Sequence, residues 1–407
     1  MTPYVGFTYF AFLLYPVLPA LLLGFTGRLR PWYVLAATIG MLLLQYGNPL
    51  GGPPSPQLAY LAAFTVYAAL VVLLFAALRR RGPRRGAYYA AVALTLLPLA
   101  AVKVYPLLSG AGGLFAPTPG PRGALLVPGL VDTFGFLGIS YMTFRVLDAV
   151  ICLQDGLVTS PGLTALLNYV LFFPCASAGP IDRYRRFQAD VTNTRSPAQY
   201  AEDADAGIYR VAQGFLYKFV IAQLIFTHWL APAGASRNLS HMLSYTYAYT
   251  FYLFFDFAGY SAFAIGVGRF FGVRTPENFR APFLSRNFRE FWNRWFISLS
   301  WFLRDHVYMR FVLGATRGHW FRNRYVASYI GYMVTMGLMG LWHGLQLNYI
   351  AYGLYQGVML IIYDFLARWN RRRRLFPDNA LTRGASVFVT FQLVCFGMLI
   401  FSGHLFT

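Results

Sequence analysis

Residues 331–364, GYMVTMGLMGLWHGLQLNYIAYGLYQGVMLIIYD, are the stretch that decides the fold. The stretch is long and apolar enough to cross a bilayer, and it carries one histidine, His343, near its middle. An ionisable side chain inside a membrane span costs on the order of a few kcal/mol, so it is rare without a function or a partner. Gly340 and Gly344 flank His343 at helical spacing, which lets another backbone or a ligand approach that face. The alternative is a packed histidine that a neighbouring carbonyl or hydroxyl satisfies.

The whole chain has the composition of a membrane protein. Of its 407 residues, 57% are apolar and only 12% are charged, which exceeds what a soluble domain of this size would bury. Runs of roughly 20 apolar residues recur along the chain, and each can span the hydrocarbon layer as a helix. We therefore predict an all-α polytopic membrane protein with about eleven transmembrane helices and further short interfacial or re-entrant helices.

The predicted spans follow one another without an internal repeat, which indicates one membrane domain over residues 1–407. They are residues 4–25, 32–50, 58–78, 87–108, 124–144, 163–180, 207–230, 243–271, 326–345, 347–365 and 384–403. A Gly/Pro-rich segment at 109–123 reads as a non-helical connection. Residues 1–123 are then peripheral N-terminal helices, and residues 124–407 carry the motifs.

The distribution of basic residues predicts how the chain is oriented in the membrane. The formal net charge is +20, and the arginines cluster at 79–85 and at 371–374, beside predicted spans. Such clusters mark cytoplasmic loops that face anionic lipid, so we expect the N-terminus on the extracytoplasmic side of the cytoplasmic membrane. This reading disfavours nucleic acid as a partner and leaves an acidic soluble protein as a lesser possibility. Eleven crossings would put 371–374 outside, so either one segment re-enters or residues 282–313 add a crossing.

Residues 282–313, PFLSRNFREFWNRWFISLSWFLRDHVYMRFVL, mix aromatic side chains with arginines. This mixture is typical of an interfacial structural helix. It also fits the wall of a polar cavity beside the His343 helix, with arginines that face phosphate or carboxylate groups. Asp256 is a lone carboxylate in an apolar run, and we expect it either to pair with one of these arginines or to bind an ammonium group. Asp148 lies three residues after Arg145 and reads as its local ion-pair partner.

Three motifs carry a resemblance to a known family. They are SAGPIDRYRRF (177–187), DFAGYSAFAIGVGRFFGVRTPENFRAPFLSRNFREFWNRW (256–295) and GLMGLWHG (337–344). In these motifs, from about residue 135 to the C-terminus, the chain resembles the membrane-bound O-acyltransferase family, and within it the members that transfer D-alanyl groups.

The resemblance implies helices around a central tunnel that is reachable from both faces, with the histidine of LWHG, His343, as the catalytic residue. It implies no metal and no tightly bound cofactor, because the acyl group arrives as a thioester on the phosphopantetheine arm of a small acidic carrier protein. The acceptor is then a hydroxyl on the outer side of the membrane. The substrate tunnel is expected to include Asp256, Trp292, Asn293, Arg294 and Trp342, and the carrier to dock on Met309, Val312 and Leu313.

One position departs from the family pattern. Members of this branch commonly have FWNRWH, with a second histidine, where this chain has FWNRWF and therefore Phe296. A mechanism that needs two histidines is in doubt unless His306 takes that role, and the ten residues between the two positions argue against a replacement in place.

The sequence favours an acyltransferase that moves an acyl group, D-alanyl first, from a carrier thioester to a hydroxyl of a cell-envelope polymer such as teichoic acid. A neutral His343 would take the proton of the hydroxyl as it attacks the thioester carbon. The alternatives are an O-acetyltransferase that acts on a cell-surface polysaccharide and, in another class, a transporter or channel whose path His343 and Asp256 line.

Overall fold

The computed structural model describes residues 2–47, 55–81, 85–108, 138–158, 162–193, 195–236, 238–374 and 376–406. Helices make up most of these residues. Within these ranges no strand forms, and one isolated antiparallel bridge pairs Phe279 with Trp295. The prediction of an all-α fold is confirmed.

The N-terminal helices agree with the predicted spans to within a few residues. They are α1 (Phe7–Phe25), α2 (Pro31–Gly47), α3 (Ser55–Arg81) and α4 (Arg85–Leu108). The predicted connection at 109–123 lies outside the described residues, as does the part of the predicted span 124–144 that precedes Gly138.

The central helices are α5 (Ile139–Gln154), α6 (Leu163–Leu171), α7 (Tyr184–Thr192), α8 (Pro197–Ala233) and α9 (Leu239–Phe270). The start of α8 is set by Ser196, whose hydroxyl accepts a hydrogen bond from the backbone of Gln199, and by Pro197, which lacks the N–H that a first helical turn leaves unused. Two π-helical turns, Leu216–Ile221 and Phe226–Leu230, widen α8.

The C-terminal helices are α10 (Phe288–Trp292), α11 (Ile297–Leu303), α12 (Met309–Arg317), α13 (Arg324–His343), α14 (Leu347–Arg373) and α15 (Ala380–Ser402). A π-helical turn, Arg304–Tyr308, joins α11 to α12. The aromatic and arginine-rich region 282–313 is thus a series of short helices and not one continuous span.

Six helices of the described part are long and apolar enough to cross a membrane. They are α1, α4 over Arg85–Val104, α8, α9, α14 and α15. Helix α13, which ends at His343, is not among these six. The protein is therefore a multi-pass membrane protein, and the count of eleven spans stays a prediction.

Contacts group the described residues into two compact units. The first comprises described residues within 1–105, 125–216 and 259–276, and the second those within 106–124, 217–258 and 277–407. Every residue predicted for the substrate tunnel, the catalytic position or the carrier surface lies in the second unit. That the chain is one domain stays a prediction.

In the first unit, Arg145 is almost completely buried and binds backbone carbonyls instead of a carboxylate. Its guanidinium donates to the carbonyl oxygen of Tyr169 in the last turn of α6, at 3.2 Å, and to that of Cys175 beyond the end of this helix, at 2.9 Å. Asp148 pairs with Arg183 at 2.9 Å. The predicted local pair between Arg145 and Asp148 is therefore wrong, because each side chain finds its partner across the fold.

Candidate active site

His343 is the last residue of α13. The chain leaves the helix at Gly344 and starts α14 at Leu347, so residues 331–364 form two helices joined by a tight turn. The histidine therefore lies at a helix end instead of inside one continuous span, and it is half-buried. An ionisable group at such a break has part of its surface open, which an interior position in a packed helix would not allow.

Glycines bring α13 and α14 into backbone contact beside the histidine. A Cβ atom at Gly340 would lie 2.5 Å from the carbonyl oxygen of Tyr349, and one at Gly353 would lie 2.5 Å from that of Met336. At Gly344 a Cβ would lie 2.4 Å from the ring of Tyr349. The expectation that small residues admit another backbone to this face is confirmed, and that backbone belongs to α14.

Aromatic rings surround the imidazole of His343. The ring centroid of Trp342 lies 4.6 Å away, and that of Phe401 lies 4.9 Å away in an edge-on arrangement. Tyr349 and Tyr352, on the first turns of α14, lie at 6.0 and 6.4 Å. These four rings are called the His343 ring cluster below. Such a surrounding is apolar enough to strengthen any polar contact that a bound substrate makes there.

The end of α15 is fixed to the start of α14 by one buried amide. Asn348 is buried, and its side-chain N–H donates to the carbonyl oxygen of Phe401 at 2.8 Å. Sequence reasoning did not identify Asn348 or Phe401 as parts of the site. A polar residue in an apolar span, four residues after LWHG, was the available signal for Asn348.

The predicted tunnel residues of the FWNRW motif have different surroundings. Trp292 is buried and its indole N–H donates to the side-chain oxygen of Gln356 at 3.2 Å, while Arg294 pairs with Glu290 at 2.6 Å. Asn293 is exposed at the end of α10. In the described part of the chain, the contacts of Asn293 and Arg294 do not join them to the His343 ring cluster.

Phe296, at the position where the family pattern that the chain resembles has a second histidine, lies next to the cluster. It is buried, its ring meets that of Phe257 edge-on at 4.8 Å, and its centroid lies 6.2 Å from that of Trp342. Its backbone is left-handed, with φ of 44°, which is uncommon for a bulky residue. His306 lies in the π-helical turn, with its ring 4.7 Å from that of Phe302.

Asp256 forms an ion pair, but not with an arginine. Its carboxylate accepts a hydrogen bond from the ammonium group of Lys218, in the first π-helical turn of α8. The expected pairing with an arginine of 282–313 is wrong. Sequence reasoning missed Lys218, although a single lysine inside an apolar run was a usable signal.

The predicted carrier surface is partly exposed. Met309 and Leu313 are 41% and 47% exposed on one face of α12. Val312 is half-buried, and a Cβ at Gly331 would lie 3.1 Å from its methyl carbon, so Val312 packs onto α13. Met309 and Leu313 therefore present apolar surface that a partner can cover without disturbing α13.

Comparison with known proteins places this geometry in a family context. The model of the membrane-bound O-acyltransferase family matches residues 121–403. The teichoic acid D-alanyltransferase of Bacillus subtilis (strain 168) is 39% identical over 409 residues, which cover 100% of this chain and 99% of that relative. The protein of the same name from Lacticaseibacillus rhamnosus is 34% identical over 420 residues, which cover 100% of this chain and 98% of that relative.

A second kind of relative matches a smaller part. The probable alginate O-acetylase of Pseudomonas aeruginosa is 35% identical over 272 residues, which cover 65% of this chain and 48% of that relative. The match to the D-alanyltransferases therefore extends over segments that the match to the acetylase leaves out.

Proposed function

The chain belongs to the membrane-bound O-acyltransferase family, and we propose that it transfers D-alanyl groups from a carrier-protein thioester to hydroxyls of teichoic acid. The observation that carries this proposal is the full-length similarity to relatives named teichoic acid D-alanyltransferase. The alginate O-acetylases share the family but match only part of the chain, which supports the acetyltransferase alternative less well.

The charge pattern supports an orientation for this reaction. Arg371–Arg373 continue α14 at its C-terminal end, and basic residues next to a span favour the cytoplasm. If α14 crosses the membrane, its other end, with His343 and the end of α15, points to the outer side. The N-terminus is then extracytoplasmic as well, because Arg28 and Arg30 follow α1.

In this proposal, His343 acts as the general base. Its neutral imidazole takes the proton of the acceptor hydroxyl as the oxygen attacks the thioester carbon. A C–O bond forms, the C–S bond breaks, and the proton passes to the departing thiolate. The thioester is already activated, so no acyl-enzyme is required. A placed base of this kind contributes ~10²- to 10⁴-fold to a rate.

The donor and its carrier complete the proposal. The acyl group is brought on the phosphopantetheine arm of an acidic carrier protein, which docks from the cytoplasm on Met309 and Leu313. Exposed Arg310 and Arg317 on α12 add positive charge beside these apolar side chains. An acidic partner suits this mixture, because charge steers the encounter and apolar contact holds the complex.

The tunnel is proposed to run past the His343 ring cluster, with Trp342 and Trp292 in its wall. Asp256, the exposed Asn293 and the half-buried Arg294 remain proposed contacts along the same path. For Asp256 to bind a substrate ammonium, that group must replace the ammonium of Lys218, so Asp256 alone does not explain a preference for D-alanyl over acetyl groups.

The test uses the purified protein reconstituted in proteoliposomes. Carrier protein is added to the outer solution, where it reaches the protein molecules whose cytoplasmic face is turned outward. Carrier loaded with labelled D-alanine should transfer its label to teichoic acid, whereas acetyl carrier should not. Transfer of acetyl groups to a polysaccharide, with D-alanyl carrier left intact, would overturn the proposal.

A further inference from the structure

An apolar groove lies between α9 and α15 in the second unit. It has a volume of about 350 Å³ and is lined by Phe251, Phe283, Gly384, Val387, Phe388 and Phe391. The rings of Phe251, Phe283 and Phe391 are half-buried, and their centroids lie 5.4, 5.5 and 6.0 Å apart, so they form the inner wall. The ring of Phe388 is 64% exposed at the edge. A concave site of this size, lined by aromatic side chains, is typical of a bound small molecule.

Gly384 keeps one end of the groove open. A Cβ atom built on Gly384 would meet no atom of the described residues within 4 Å. Gly384 and Phe391 lie seven positions apart on α15, which is ~10 Å along the axis at ~1.5 Å per residue. A helix of that length with a diameter of ~10 Å has a volume of ~800 Å³ and does not fit into 350 Å³. The groove therefore favours a thinner occupant, such as one acyl chain.

The end of the groove at Gly384 is strongly basic. Residues 371–383, which run from the end of α14 into the first turn of α15, contain five arginines and one aspartate. Arg383 directly precedes Gly384 and is 54% exposed, although it pairs with Asp378. A hydrogen bond from Arg383 and the charge of Arg286 lower the pKa of Asp378, so both arginines lie near this carboxylate. The excess of positive charge favours an anion at this end of the groove as a whole.

The groove extends from the middle of the membrane to its cytoplasmic surface. Helix α15 begins at Ala380, beside the arginines that we assign to the cytoplasm, so Gly384 lies near the surface and Phe391 lies deeper. Anionic phospholipids of the cytoplasmic leaflet combine an apolar chain with a negative headgroup, which match the two parts of the groove. The choice of leaflet rests on the orientation in the proposed function, whereas the groove and its basic end do not.

We infer that the groove binds one acyl chain of an anionic phospholipid, with the headgroup among the arginines at the basic end. The chain covers the open side at Gly384 and packs between α9 and α15. The last turn of α15 carries Phe401, whose ring lies 4.9 Å from that of His343. The bound lipid thus stabilises a helix that forms part of the His343 ring cluster.

The experiment measures lipid binding, so it does not depend on turnover. Purified protein in a mild detergent is equilibrated with phosphatidylglycerol or with phosphatidylcholine of the same chain length, and bound lipid is quantified by native mass spectrometry. Wild-type protein should bind one phosphatidylglycerol about 10-fold more tightly than phosphatidylcholine, because the arginines attract only the anionic headgroup. Arg383→Gln should reduce this preference about fivefold and leave the affinity for phosphatidylcholine unchanged.

A second variant tests the apolar part of the site. Gly384→Leu places a side chain in the groove and should weaken the binding of both lipids about 10-fold. Gly40→Leu is the matched control, because a Cβ atom at Gly40, on α2, also meets no atom of the described residues within 4 Å. The control should bind lipid as wild type does. Phe388→Ala removes an exposed ring at the edge and should weaken binding of both lipids without adding bulk.

The inference is overturned if wild-type protein binds the two lipids equally, or if Gly384→Leu binds phosphatidylglycerol as tightly as wild type. It is also overturned if Gly384→Leu converts a dimer into a monomer while lipid binding is unchanged, since a second copy of the chain would then cover the groove. A protein that binds the lipid in this way but transfers no D-alanine would refute the proposed function alone.

Discussion

Asp203, in the first unit, and His343, in the second, show two ways in which this chain holds an ionisable group. Asp203 is 1% exposed and forms ion pairs with Arg195, Arg269 and Arg274 at 3.0, 2.8 and 2.9 Å. His343 is half-buried at a helix end, with aromatic rings around it. A carboxylate closed in by its partners serves the fold, whereas an imidazole at the break between two helices keeps part of its surface open, as the proposed role of His343 requires.

The largest effect on folding should come from replacing the buried Asp203. Asp203→Asn leaves three arginines without their shared carboxylate, and removal of one partner from a buried ionic cluster costs about 3 kcal/mol. We expect a large drop in the thermal unfolding midpoint in detergent. Asp205→Asn is the control, because Asp205 is exposed on the same helix. Equal midpoints for the two variants would mean that Asp203 is not structural.

In the second unit, a change in the proposed carrier surface should alter the affinity for the carrier protein and leave the stability of the fold unchanged. Leu313→Asp places a negative charge where an acidic carrier docks, and we expect about 10-fold weaker carrier binding, or ~1.4 kcal/mol. Leu381→Asp makes the same change at a position that is 80% exposed outside α12. If both variants bind the carrier as wild type does, the docking surface lies elsewhere.

A smaller, pH-dependent effect should come from Glu290, which lies outside the six long apolar helices. Burial alone would raise the pKa of Glu290, but hydrogen bonds from the backbone and side chain of Arg286 and the charge of Arg294 lower it overall. A lowered folded-state pKa gives stability that is present at neutral pH and lost as the pH falls through that pKa.

Glu290→Gln should therefore lower the stability at pH 7 by about 1 kcal/mol. The difference between variant and wild type should shrink when unfolding is measured at pH values below the ordinary range of a glutamate. A difference that is constant between pH 7 and acidic pH would show that the charge of Glu290 contributes nothing.

The smallest effect is expected at Phe296. Histidine tolerates the left-handed backbone better than most bulky residues, and its ring can occupy the space between Phe257 and Trp342. If one histidine is sufficient for catalysis, Phe296→His should keep the transfer rate to within about threefold, less than ~1 kcal/mol. A large gain in rate would mean that the second histidine has a catalytic part that this chain lacks.

Much of the helical fold follows from the sequence, because apolar length and capping residues act locally. The limits of α1, the end of α9 and the start of α14 lie within a few residues of the predicted spans, whereas α14 ends eight residues after its predicted end. The break after His343 was harder to place, since apolar residues continue on both sides of Gly344 and only glycine spacing signals it.

Side-chain partners were the part that sequence could not supply. Asp256 pairs with Lys218 and Asp148 with Arg183, each more than 30 positions away along the chain. Spacing along one helix identifies only neighbours three or four residues apart, so it favoured Arg145 for Asp148. Similarly, Arg289 donates hydrogen bonds to Tyr332 and Asp364, which lie 43 and 75 positions away.

The most direct test of the account is the initial rate of D-alanyl transfer by His343→Ala, measured with and without free imidazole. The account predicts a rate ~10²- to 10⁴-fold below wild type, unchanged carrier binding, and partial recovery when imidazole supplies the missing base. A variant that transfers D-alanine at the wild-type rate would contradict it, because the proton would then have another acceptor.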